Sequence, residues 1–144
     1  LLHTVNDLER IGDHAVNIVE IAERKIEQKV PFSDFALEEA AQLRKEVGQM
    51  FGYIKEALEN DDAEVARKAL LNENNLNRMQ LDFRRNHVQR MSGGFCSPES
   101  GLIFCDLVDN IEKIGDHLTN IAQAVIGGLQ WAGVEPEKPP SAPN

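Results

Sequence analysis

Apolar residues recur every three or four positions along most of this chain, and no stretch alternates apolar with polar residues as a half-buried strand does. Leu8, Ile11, Ala15, Ile18, Val19 and Ala22 fall on one stripe and predict a helix over about 1–29. A Ser33 or Asp34 cap opens a second run, 34–59, carrying Leu37, Ala40, Ala41, Val47, Met50, Phe51, Ile54 and Leu58. Asn60-Asp61-Asp62 makes a tight connection into a third helix over 62–91, with Ala66, Ala69, Leu76, Met79 and Phe83 on its inner side. Ser92-Gly93-Gly94 ends that helix, and Ser97-Pro98 or Ser100 starts a fourth over 99–130, carrying Leu102, Ile103, Leu107, Ile111, Ile114, Leu118, Ile121 and Val125. Four long helices with short loops predict an all-α fold, an antiparallel four-helix bundle spanning 1–130. The tail 131–144 holds Pro136, Pro139, Pro140 and Pro143 and is expected to be disordered.

An internal repeat overlies this pattern. Asp7-Leu-Glu-Arg-Ile-Gly-Asp-His-Ala-Val-Asn-Ile18 recurs 103 residues later as Asn110-Ile-Glu-Lys-Ile-Gly-Asp-His-Leu-Thr-Asn-Ile121. Two amphipathic helices share apolar positions cheaply. Here the identities Glu9/Glu112, Gly12/Gly115, Asp13/Asp116, His14/His117 and Asn17/Asn120 are polar residues or glycine, which core packing does not demand. The chain therefore carries a duplicated architecture.

Composition narrows the function classes. The 144 residues are 42% apolar and 27% charged, as in a globular domain. Fifteen basic against twenty-four acidic residues give a net charge of −9, opposite to the basic footprint of a nucleic-acid binder. Cys96 and Cys105 are too few for a disulfide framework and fit a reduced, cytoplasmic setting. No apolar run reaches the roughly 20 residues that cross a bilayer. The chain begins Leu1-Leu2-His3-Thr4-Val5, already in helical pattern and without Met, and reads as a piece of a longer protein.

The repeated motif suggests a chemistry. Glu9, Asp13 and Asn17 stand at i, i+4 and i+8 on one helix strip, and Glu112, Asp116 and Asn120 repeat the arrangement. Like charges one turn apart repel by a few tenths of a kcal/mol, a penalty a bound cation would remove. Carboxylates suit Mg, Ca, Mn or ferric iron; a solvated acidic face is the simpler alternative. Gly12 and Gly115 each cost a helix interior roughly 1 kcal/mol against alanine, which close approach of a neighbouring helix explains. His14 and His117 lie about 100° round from the preceding Asp and fit hydrogen-bonded flank residues better than ligands. His3 and His87 have less support still, and the two cysteines fit packing. No Glu has a His three residues on, as ferritin-like di-metal sites require, and neither a phosphate-binding Gly-x-x-x-x-Gly-Lys loop nor a Gly-x-Ser-x-Gly elbow is present. The chain reads as a binding module and not an enzyme.

The run Leu8-Glu-Arg-Ile-Gly-Asp-His-Ala-Val-Asn-Ile18 resembles the signature helix of the PhoU family of phosphate-uptake regulators, and 111–121 resembles its second copy. PhoU proteins consist of two three-helix repeats with the signature on the third helix of each. The resemblance implies that 1–29 is the last helix of one repeat and 34–130 a complete second repeat, with two helices missing upstream. The stretch His87-Val-Gln-Arg-Met-Ser-Gly-Gly-Phe-Cys-Ser-Pro-Glu-Ser-Gly101, leading into Phe104, is similar to the PhoU-like region at the cytoplasmic end of bacterial Na+/phosphate cotransporter-like proteins. That similarity implies membrane helices upstream of Leu1 and tethering to the inner membrane.

In PhoU relatives, paired Glu/Asp-x-x-x-Asp motifs on neighbouring helices hold metal ions, iron or zinc in some members. Carried over by position, the resemblance implies a ligand set of Glu112 and Asp116 with Glu73 and Asn77 from the preceding helix, and a second half-set of Glu9 and Asp13. Asn77 stands where the pattern has Asp, which weakens the first site. Iron or zinc is the metal so implied, with Mg, Mn and Ca as alternatives. The implied function is a non-catalytic metal-binding regulatory domain controlling phosphate uptake. Its expected partners are a transporter domain of the same parent chain or a phosphate-signalling protein, and a second copy in a homodimer. The alternatives are a free-standing PhoU-like regulator and a purely structural, dimerising helical module.

Overall fold

The computed structural model describes residues 1–128; the fourth helix ends at Ile126 with Gly127 as its cap, and the expected disorder of 131–144 lies outside the described residues. Four helices, α1 (Leu2–Glu27), α2 (Asp34–Asn60), α3 (Ala63–Ser92) and α4 (Pro98–Ile126), account for the fold, and no strand occurs among the described residues.

Local chemistry sets the helix ends. Ser33 caps α2 by accepting the Ala36 amide at 3.1 Å, and Ser97 caps α4 by accepting the Ser100 amide, with Pro98 in the first turn. Asp61 turns the chain with a left-handed backbone, φ 49°, and Asp62 then caps α3 by accepting the amides of Glu64 and Val65.

Consecutive helices α2, α3 and α4 pack antiparallel around one core, built on Leu43, Met50, Ile54, Leu76, Phe104, Val108, Leu118 and Ile121. The first helix departs from that scheme. It packs on α4 alone, so the bundle is a three-helix unit with α1 laid along its outside. Contacts from Asp7 to His117 and from Arg24 to Asp106 make the α1/α4 pair antiparallel.

Of the apolar stripe of α1, only Ile11 and Ile18 are partly covered, while Leu8, Ala15, Val19 and Ala22 are exposed. The residues buried against α4 are Thr4, Asp7, His14 and Ile21. The apolar stripe marks where a helix prefers company, but only α4 is at hand, and α4 meets the polar face because that face supplies specific hydrogen bonds.

Candidate functional site

The duplicated motif forms the α1/α4 contact, and the contact is two-fold symmetric in its chemistry. On one side the Asn110 amide donates to the Asp106 carbonyl at 2.8 Å, which turns its oxygen toward α1. That oxygen accepts from His14 Nδ1 at 3.0 Å and from Asn17 Nδ2 at 3.2 Å. On the other side Asp7 Oδ1 accepts from His117 Nδ1 at 2.9 Å and from Asn120 Nδ2 at 3.1 Å. Each pair of donors is the repeat equivalent of the other, and Asp7 is the equivalent of Asn110. Between the two sets the His14 and His117 rings stack, with centroids 5.7 Å apart. Both imidazoles carry their bonded proton on Nδ1, because their acceptors offer oxygen and no donor.

Two clefts flank this seam at equivalent positions. One, about 410 Å3, is lined among others by His3, Asp7, His117 and Asn120; the other, about 440 Å3, by Asn17, Glu20, Arg24, Asp106 and Asn110. The duplication thus repeats the groove as well as the motif, with different charges in each copy. Arg24 spans the second cleft to Asp106 at 2.6 Å.

The six residues of the implied ligand sets divide by copy. Glu9 and Asp13 are exposed on α1, with Arg10 Nη1 3.5 Å from Asp13 Oδ2. Glu112 and Glu73 are half-buried where α4 meets α3, whereas Asp116 and Asn77 are exposed. The Thr119 hydroxyl lies in reach of both the Gly115 carbonyl, at 3.0 Å, and Glu73 Oε2. Burial pushes the Glu112 carboxyl above its usual range, and the charges of Asp116, Asp109 and Glu73 push the same way against Lys113. Such a donor set has the chemistry of a hard-cation site, yet among the described residues no three His, Cys, Asp or Glu side chains converge as a group that could hold a metal.

The two glycines of the motif have different surroundings. A Cβ on Gly115 would sit 3.0 Å from Leu76 Cδ1 of α3, so the close approach expected from the sequence is real there. At Gly12 nothing lies within 4 Å.

Family membership follows from the sequence that builds this pair. The sequence profile of the PhoU domain matches residues 1–22 and 40–125, which takes in both signature helices and the bundle between them. The chain belongs to the PhoU family. It is 29% identical over 133 residues to the phosphate-specific transport system accessory protein PhoU homolog 1 of Thermotoga maritima, a match covering 88% of this chain and 53% of that protein. The chain therefore spans about half the length of the curated relative it matches. No solved structure matches.

Within this PhoU domain one cluster had little support in the sequence. His87 is fully buried and stacks on Phe104 with ring centroids 5.1 Å apart. Its Nδ1 faces Arg90 Nη2 and its Nε2 faces Cys96 Sγ, both at 3.4 Å. Arg90 pairs with the buried Glu39 at 2.6 Å, and Asn86 donates to the same carboxylate at 3.1 Å. Burial lowers the His87 pKa and the Arg90 charge lowers it further, against Glu39, which keeps the ring neutral. Gly101 makes room for that ring: a Cβ there would lie 2.7 Å from His87 Nε2 and 2.5 Å from Met91 Sδ. The His87–Phe104 stretch quoted for the cotransporter likeness is therefore tied into the packing at one end of the bundle.

Proposed function

We propose that this PhoU domain is a non-catalytic regulatory module of phosphate uptake, acting on a phosphate transporter. The observation that carries the proposal is the pair of signature helices, matched by the family profile and locked together through Asp7, Asn110, His14 and His117. The name of the Thermotoga maritima relative, a transport-system accessory protein, supports the same class. Two settings fit this role equally: the cytoplasmic part of a Na+/phosphate cotransporter, tethered to the membrane through a longer parent chain, and a free-standing regulator. No helix among the described residues is long and apolar enough to cross a membrane.

The finer part of the proposal is a cation at Glu112, Asp116 and Glu73, with neutral Asn77 at the edge and Glu9 and Asp13 as the half-set on α1. Iron or zinc comes first, and Mg, Mn and Ca are alternatives. Its support is the crowding of negative charge that raises Glu112. Binding requires the side chains to draw together from their present positions. The role is tested by measuring uptake of radiolabelled phosphate in host cells with and without the gene: deletion is expected to deregulate uptake, and unchanged uptake in replete and starved cells refutes it. The cation is tested by melting the chelated protein with each metal in turn. A bound metal raises the melting temperature by mass action, Glu112→Ala with Asp116→Ala abolishes the rise, and no rise with any metal removes the cation.

A further inference from the structure

One end of the bundle gathers three soft donors that play no part in the acidic strips. His87 and Met91 stand one turn apart on the same face of α3, at i and i+4. Past the end of that helix the chain doubles back. Gly94 takes a left-handed φ of 77°, its amide donates to the Met91 carbonyl, and the Phe95 amide donates to the Arg90 carbonyl at 2.9 Å. This reversal sets Cys96 against a histidine nine residues earlier in the chain, with Sγ 3.4 Å from His87 Nε2. Gly101, in the first turn of α4, closes the cluster. The Cβ it lacks would fall 2.5 Å from Met91 Sδ and 2.7 Å from His87 Nε2, so thioether and imidazole nitrogen border the same space.

The donor set selects its ion. Imidazole, thiolate and thioether together suit Cu(I), and the thioether favours it over zinc, whose protein ligands are Cys, His, Asp and Glu. A d10 ion held tetrahedrally at about 2.0 Å from nitrogen and about 2.3 Å from sulfur keeps those two donors about 3.5 Å apart. Cys96 Sγ and His87 Nε2 already stand close to that separation. No third His, Cys, Asp or Glu among the described residues joins them as a ligand group, which leaves Met91 as the third donor. His87 is fully buried and pinned on Phe104, whereas Cys96 and Met91 are half-buried, so an ion enters past the sulfurs to a fixed nitrogen. The Arg90 charge nearby is already matched by Glu39, and Cu(I) on a thiolate adds no net charge to the cluster.

We infer that Cys96, His87 and Met91 form a three-coordinate Cu(I) site at the turn between α3 and α4. Binding exchanges the thiol proton for the ion, so one proton leaves for each Cu(I) taken up. The imidazole gives Nε2 to the metal and carries its own proton on Nδ1, whose contact with Arg90 is long, 3.4 Å, and opens. Met91 completes the set by rotating its thioether toward the other two donors. The site shares no residue with the cation proposed at Glu112, Asp116 and Glu73, and it stands apart from the regulatory role.

Anaerobic titration of the reduced, chelator-stripped chain with Cu(I), in competition with bicinchoninate and read by absorbance, tests it. The chain is expected to hold one equivalent against the chelator. Cys96→Ala, His87→Gln and the volume-conserving Met91→Leu should each weaken binding at least about tenfold, the cost of losing even an outer-shell partner, with helix content by circular dichroism unchanged in Cys96→Ala and Met91→Leu. Cys105→Ser, and Glu112→Ala with Asp116→Ala, should leave binding as it is. A chain that holds no Cu(I) overturns the inference, as does retention that survives Cys96→Ala. Retention lost with Cys96→Ala but untouched by Met91→Leu or by His87→Gln marks adventitious binding at a bare thiol and overturns it too. So does displacement of Cu(I) by an equal concentration of zinc.

Discussion

Replacing a helix-interior glycine by alanine adds the same methyl group everywhere and finds a different neighbour each time. Gly48 of α2, Gly115 and Gly101 of α4 form such a series. The backbone gain is common to all three, about 0.8–1.0 kcal/mol in favour of alanine. At Gly48 the added Cβ meets nothing within 4 Å, so the gain stands, and stability should rise by about 1 kcal/mol. At Gly115 the Cβ falls 3.0 Å from Leu76 Cδ1, a buried side chain that must shift by a few tenths of an ångström; gain and crowding should nearly cancel. At Gly101 the methyl lies 2.7 Å from Nε2 of a ring pinned by its stack on Phe104 and 2.5 Å from Met91 Sδ. The thioether can swing away, but the imidazole cannot. Overpacking of this kind costs about 1–3 kcal/mol, so Gly101→Ala should lose about 1 kcal/mol net. At about 4 °C per kcal/mol for a domain of this size, thermal melts should order the variants Gly48→Ala above the parent, Gly115→Ala close to it and Gly101→Ala below. A Gly101→Ala protein that melts at or above the parent refutes the packing around His87, and a destabilised Gly48→Ala refutes the exposed outer face of α2.

The neutral His87 ties stability to pH. Its pKa is lowered on folding, so its contribution is complete above the ordinary histidine value near 6.5 and is lost as pH falls through the lower folded value; melting temperature should drop on acidification below about pH 6.5, and His87→Gln should flatten that drop, whereas an unchanged slope refutes it. The two anchors of the α1/α4 seam should differ in sensitivity. Asp7→Ala strands two donors, His117 and Asn120, and removes a charge-assisted pair worth roughly 1.5–3 kcal/mol, against about 1 kcal/mol for a neutral acceptor in Asn110→Ala. Hydrogen exchange of α1 amides reads the difference directly, and equal effects would show that the Asp7 charge plays no part in holding α1.

Much of the bundle was legible because its signals are local. Ser33, Asp62 and Ser97 bond amides two or three residues ahead, and Pro98 sits in the first turn of α4. The repeat marked α1 and α4 as equivalent helices, but not that their polar identities, such as His14/His117, meet in one interface. Which face of α1 is covered was not legible. Amphipathicity records a helix's preference, not its neighbours, and here the preferred face holds Leu8 and Val19 in the open while Asp7 and His14 are buried. The Asp7–His117 link spans 110 positions, and the His87 cluster joins three helices with the loop that carries Cys96, so neither leaves a periodic trace.

The polar seam gives α1 an unusual thermodynamic character. Peeling this helix from α4 would uncover Ile11, Ile18 and Ile21 and, across the seam, Ile103 and Leu107, together with the hydrogen bonds of Asp7 and Asn110. Heat-capacity change and denaturant slope both scale with newly exposed surface, so this opening would carry a smaller slope than unfolding of the three-helix core. A domain built this way can release one helix as a separate cooperative unit while its oily centre stays shut.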